Sequence, residues 1–137
     1  MANRLRAASP YLLAALLIGA GAAHFAATDR YAQIIPSAFP ESTHRPLVQL
    51  SGVAELVCAG LLVPRRTRRF GAIATAVLLV GVFPANVKMA LAGGIAGAGF
   101  PLGSPVVAWL RLPLQLPLIA WAVSIARAAG HADTDIV

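Results

Sequence analysis

Four apolar runs divide this sequence, each close to the ~20 residues that a helix needs to cross a ~30 Å hydrocarbon layer. They fall at residues 11–28, 46–63, 70–92 and 104–126. Spans of this kind must be helical, because lone strands would leave their backbone N–H and C=O groups unpaired in lipid. Glycine and proline inside the runs do not argue otherwise, since membrane helices tolerate both. Composition agrees: 58% of the 137 residues are hydrophobic and 12% are charged, with a mean hydropathy of +0.76. Soluble domains carry about twice that charged fraction, so lipid must cover what charges do not. The expectation is an all-α membrane protein of one domain, a four-transmembrane-helix bundle over residues 11–127. A short head at 1–10 and a flexible tail at 128–137 flank it.

The connectors assign sides. Pro64-Arg65-Arg66-Thr67-Arg68-Arg69 packs four arginines into one tight turn. The segment 29–45 carries only Arg30 and Arg45 beside two acids, and the connector after the third run has no charge. Arg4, Arg6 and Arg127 lie beyond the outer ends of the bundle in sequence. With four spans every basic-rich segment falls on one side, which predicts an N-in, C-in topology in a bacterial inner membrane. The net charge of +6 therefore serves orientation, and no nucleic-acid partner is expected. Arg4, Arg6 and the small residues of 19–23 also fit a signal peptide, but the apolar run continues to Ala27, which favours an uncleaved first helix.

Two connectors have character. In 29–45, Tyr31, Ile34, Ile35 and Phe39 alternate with prolines and polar residues, as in an ordered cap at the outer interface. The glycine-rich stretch 93–101 reads as mobile.

Ionisable and amide groups inside the runs are costly in lipid and usually face a bundle interior, a partner or a cavity. Glu55 lies about nine residues from the outer end of the second helix, roughly 14 Å at 1.5 Å per residue. Arg111 and Gln115 share a face of the fourth helix, Asn86 and Lys88 sit near the outer end of the third, and His24 near that of the first. All six fall in the outer half although they come from four helices. The simplest electrostatic arrangement pairs Glu55 with Arg111, while Lys88 snorkels to the surface. Gly52, on the face of Ser51 and Glu55, permits close approach of a neighbour. The cluster reads either as a ligand or proton site or as a buried ion pair that fixes helix register. Asn86 and Gln115 also suit ordinary interhelical hydrogen bonds.

Absences bound the chemistry. The single cysteine, Cys58, excludes an internal disulfide or CxxC pair and reads as a small packing residue. One intramembrane histidine cannot supply two axial ligands to a buried haem, and no metal-site spacing is evident. No nucleotide loop or catalytic triad occurs, so the residues leave open whether the protein is an enzyme.

Several segments together resemble the DoxX-like family of small membrane proteins. They are Gly21-Ala22-Ala23-His24-Phe25, Ile34-Ile35-Pro36-Ser37-Ala38-Phe39-Pro40, Ser51-Gly52-Val53-Ala54-Glu55, Arg65-Arg66-Thr67-Arg68-Arg69, Phe83-Pro84-Ala85-Asn86-Val87-Lys88-Met89-Ala90 and Arg111-Leu112-Pro113-Leu114-Gln115. Each motif is weak alone, and their order over most of the chain carries the resemblance. It implies a four-helix inner-membrane bundle related to the DoxD subunit of a thiosulfate:quinone oxidoreductase, in a quinone-linked or oxidative-stress setting. It supplies no catalytic residues.

Three functions follow as expectations. The first is an accessory subunit of a quinone-linked redox system, with an outward-facing polar site. In it Glu55 would exchange a proton beside Arg111, His24 or Lys88 would bond a quinone oxygen, and a redox partner protein would carry electrons. The second is a non-enzymatic scaffold or assembly factor. The third is a small-molecule carrier, which would require a homo-oligomer. A cavity lined by Glu55 and Arg111 would favour the first, and direct packing of the two side chains the second.

Overall fold

The computed structural model describes residues 2–134 and is almost wholly helical. Helix α1 covers Ala2–Ala26, the short α2 Thr28–Ala32, α3 His44–Leu62, α4 Arg65–Leu91 and α5 Pro105–Thr134, with a 3-10 turn at Glu41–Thr43 before α3. Four of these, α1, α3, α4 and α5, are long and apolar enough to cross a membrane. The chain is an integral membrane protein built as an all-α four-helix bundle.

The outer helices are longer than the apolar runs. Helix α1 takes in most of the expected head, and α5 continues through Thr134, over most of the expected tail; residues 135–137 lie outside the described residues. Alanine and arginine, which dominate these extensions, are strong helix formers. A span already helical in lipid also extends without the cost of nucleation.

The arginine-rich turn is built as a clasp. Pro64 precedes α4 in an extended conformation. Arg68 Nε donates to the Leu62 carbonyl at 2.9 Å, and its terminal nitrogen donates to the Val63 carbonyl at 2.6 Å and the Tyr11 hydroxyl at 3.2 Å. Thr67 Oγ1 adds a bond to the Leu61 carbonyl at 2.8 Å. The last carbonyls of α3, which no intrahelical donor reaches, are satisfied in this way.

Helix α1 packs along α3, α3 along α4 and α4 along α5, while α1 and α5 scarcely touch. Helices α1 and α3 cross closely at Gly21 and Gly52. A Cβ at Gly21 would stand 2.9 Å from the Gly52 carbonyl oxygen, and one at Gly52 would stand 3.0 Å from His24 Cβ. Backbones approach this closely only where no side chain intervenes.

Two apolar clusters close the bundle's ends. At the arginine-rich end Leu13, Leu17, Cys58, Leu62, Ala72, Ala122 and Ile125 pack together, with Trp121 against them donating to Ser9 Oγ at 2.6 Å. At the other end Tyr31, Ile34, Val48, Met89, Ile95 and Ala108 form a second cluster. The segment 29–45 thus folds back over the bundle as a cap. The 93–101 stretch, read as mobile from its glycines, is instead packed into this cluster. Ile95 is buried and its N–H donates to the Leu102 carbonyl at 2.9 Å. Gly94 adopts φ +103, and a Cβ there would meet Gly103 C at 2.7 Å, so two glycine backbones lie against each other.

Candidate functional site

Between the two apolar clusters the helices enclose a cavity of about 740 Å³. This is within the range of small-molecule sites, roughly 300–1,000 Å³. Five of the six residues singled out by their chemistry line it: His24, Glu55, Asn86, Arg111 and Gln115. The outer-half convergence read from four separate helices is therefore a real grouping in space.

The pairing inside the group differs from the electrostatic expectation. Glu55 is bonded not to Arg111 but to His24, whose Nδ1 lies 2.9 Å from Glu55 Oε2. The Gly21–Gly52 crossing draws α1 against α3 and sets these two side chains opposite each other. His24 is held from two further directions. Its ring meets the edge of Tyr31 at a centroid separation of 4.6 Å, and Thr28 Oγ1 donates to its backbone carbonyl at 2.7 Å.

Arg111 lies across the cavity with a weaker partner. One terminal nitrogen donates to Met89 Sδ at 3.4 Å, which is its hydrogen bond among the described residues. The ion pairs there are His24–Glu55 and the exposed Arg45–Asp29, so Arg111 has no carboxylate within 4.0 Å, although Glu55 lines the same cavity. A guanidinium carries five N–H donors, and a thioether is a weak acceptor. A cation at this depth with so little compensation leaves strong hydrogen-bonding capacity to the cavity.

Asn86 and Gln115 form a second bridge, with Asn86 Nδ2 donating to Gln115 Oε1 at 2.9 Å. Gln115, nearly fully buried, also donates through Nε2 to the Leu79 carbonyl. That carbonyl lies beside Val80, whose own carbonyl loses its helical donor because Pro84 has no N–H. The proline-containing turn of α4 is thereby tied to α5.

Lys88 does not line the cavity. Its Nζ donates to the Ile35 carbonyl and fastens the cap to α4. Two lining residues absent from the sequence-derived site are Tyr31 and Ser51. Ser51 Oγ is buried without a hydrogen-bond partner in the described structure. Its place four residues before Glu55 on one helical face was the signal that could have found it.

The rest of the lining is apolar, and the shape of the opening follows from which of these side chains are exposed. Tyr31, Ile34 and Ile35 line the cavity from the cap, together with the exposed Phe39. Leu16 of α1 and Leu114 of α5 line it and are 44% and 56% exposed, on the side where α1 and α5 scarcely touch. One opening is therefore lateral, at mid-helix, toward lipid, while Leu50 of α3, 63% exposed, lines the cavity nearer its outer end.

A model of a domain of unknown function, DUF8561, matches residues 13–126. The chain belongs to the DUF8561 family. No curated protein and no solved structure matches it. The DUF8561 match spans from the first apolar cluster through the last, and includes every residue that lines the cavity.

Proposed function

We propose that this chain is a membrane-embedded binding subunit for a lipid-soluble ligand whose head group carries oxygen acceptors, serving a quinone-linked redox or oxidative-stress system. The observation that carries the reading is Arg111, a guanidinium lining a largely apolar cavity with a thioether as its partner. Such a donor set suits carbonyl or anionic oxygens, and the apolar walls with a lateral opening suit a hydrocarbon tail. A quinone combines both features. The resemblance of these segments to DoxX-like proteins is the sequence argument for the redox setting, in a bacterial inner membrane with both termini inside.

In this reading Arg111 donates to a head-group oxygen, and Ser51 supplies a further hydroxyl on the α3 wall. His24 and Glu55 hold or pass a proton along the bond between Nδ1 and Oε2. Electrons would come from a redox partner protein, because these side chains offer no redox centre of their own.

The test is direct. Purified protein in nanodiscs is titrated with a short-tailed benzoquinone and binding is followed calorimetrically. Saturable binding is expected, weakened at least about tenfold by Arg111→Met, since a hydrogen bond to a charged group is worth about 1.5–3 kcal/mol. Absence of saturable binding, or binding indifferent to Arg111→Met, defeats the proposal. The second reading, a scaffold, draws on the internally satisfied His24–Glu55 and Asn86–Gln115 bridges. It predicts that substitutions there change stability alone.

A further inference from the structure

A second groove, of about 580 Å³, lies between α4 and α5 at the arginine-rich end of the bundle, remote from the first cavity. Its rim carries Arg69 from α4 with Arg127 and His131 from α5, and no acid is among the described lining residues. One and two turns deeper on α4 come Ile73 and Val77, both exposed, and one turn deeper on α5 comes Val123. The groove therefore changes from cationic to apolar along the membrane normal.

Gly130 makes the rim possible. A Cβ at that position would stand 3.3 Å from Arg69 Cζ and Nε, so the guanidinium rests against bare α5 backbone between the two helices. His131 Nδ1 lies 2.7 Å from the Arg127 carbonyl, which holds the imidazole on the same turn.

A pair of guanidinium groups at the membrane boundary, above an apolar channel that runs into the hydrocarbon, is complementary to one molecule already present there. We propose that this groove binds an anionic phospholipid of the leaflet on the arginine-rich side. The phosphate sits between Arg69 and Arg127, and an acyl chain lies along Ile73, Val77 and Val123. A zwitterionic lipid would bring its ammonium to the same basic rim, and a free phosphate would leave the apolar half of the groove unused.

Native mass spectrometry tests this on the full chain released from phosphatidylcholine nanodiscs doped with phosphatidylglycerol. Wild type should retain phosphatidylglycerol in preference to phosphatidylcholine. Arg69→Gln and Arg127→Gln should each reduce that retention about fivefold, the worth of one basic side chain at an anionic surface. Gly130→Leu should reduce it by displacing the Arg69 guanidinium with net charge unchanged, and the pair Ile73→Ser/Val77→Ser should reduce it with the arginines intact. Arg66→Gln, in the same turn but outside the groove, should leave it as in wild type. Circular dichroism confirms that each variant keeps its helix; should Arg69→Gln lose helix, Arg127→Gln and Gly130→Leu decide. Equal retention of the two lipids overturns the proposal, as does an equal loss from Arg66→Gln or retention unchanged in Gly130→Leu. Displacement of the lipid by inorganic phosphate in detergent would likewise overturn it, reducing the groove to a head-group anion site.

Discussion

His24 Nδ1 lies 2.9 Å from Glu55 Oε2, and this bond between α1 and α3 spans 31 residues of chain at the wall of an intramembrane cavity. Its geometry rests on two glycines, not on the charges themselves, because the Gly21–Gly52 contact sets the helix separation. Replacing either partner by leucine should destabilise the bundle by about 2 kcal/mol, since a buried polar group is left unpaired. The double variant His24→Leu/Glu55→Leu should cost less than the two singles combined. A double-mutant cycle measured by unfolding in detergent would read the coupling; strict additivity would deny that the pair acts as a unit.

The glycine contact itself should be more sensitive than its small size suggests. Gly52→Val forces a side chain against His24, Phe25 and the Gly21 carbonyl. Such overpacking costs about 1–3 kcal/mol and should also part the His24–Glu55 bond. Gly60→Ala, where a Cβ meets nothing, should be neutral. Comparison of the two melting temperatures separates a specific close approach from a general intolerance of side chains.

Gln115 ties α4 to α5 through both ends of its amide. Gln115→Leu should strand the Asn86 amide and remove the second donor to the Leu79 carbonyl, at about 1–2 kcal/mol, near the upper end for interhelical bonds in membranes. Gln115→Glu should recover only the acceptor half, so its stability should fall between wild type and the leucine variant.

The cap can be probed through its fastening. Lys88→Met removes the donor to the Ile35 carbonyl. Amide hydrogen exchange across 29–45 should then quicken while exchange in the membrane-spanning parts of α3 and α5 stays unchanged, since local opening follows the loss of local contacts. Lys88→Arg should keep much of the protection.

The lateral opening makes a separate claim. Tryptophan at both Leu16 and Leu114 should fill the side between α1 and α5 and slow entry of a tailed quinone. Binding of a tailless benzoquinone should be affected less. Equal loss for both would place the route of entry elsewhere.

Much of the fold was legible in the sequence because lipid imposes a single rule, that apolar runs of sufficient length become helices. The convergence of His24, Glu55, Asn86, Arg111 and Gln115 was legible for the same reason, since depth in the membrane follows from counting residues. The partner of Glu55 was not. Which side chain stands opposite another depends on the rotation and order of helices, and these are set by contacts such as Gly21–Gly52 that leave no charge pattern. The partner of Lys88 was not legible because its acceptor is a backbone carbonyl, which no side-chain identity announces. The 93–101 stretch was misread because its glycines serve close backbone contact and positive φ at Gly94, and composition alone does not distinguish that use from freedom.

Every extensively packed helix pair in this bundle joins neighbours among the four long helices as they follow one another in the chain: α1 with α3, α3 with α4, α4 with α5. Such contacts close short loops and form early. The protein can therefore be put together in the order of its synthesis, each new helix docking on the one before it. Only the meeting of the first helix with the last must wait until translation is nearly complete. The seam that is last to be sewn is also the one through which the cavity looks into the bilayer.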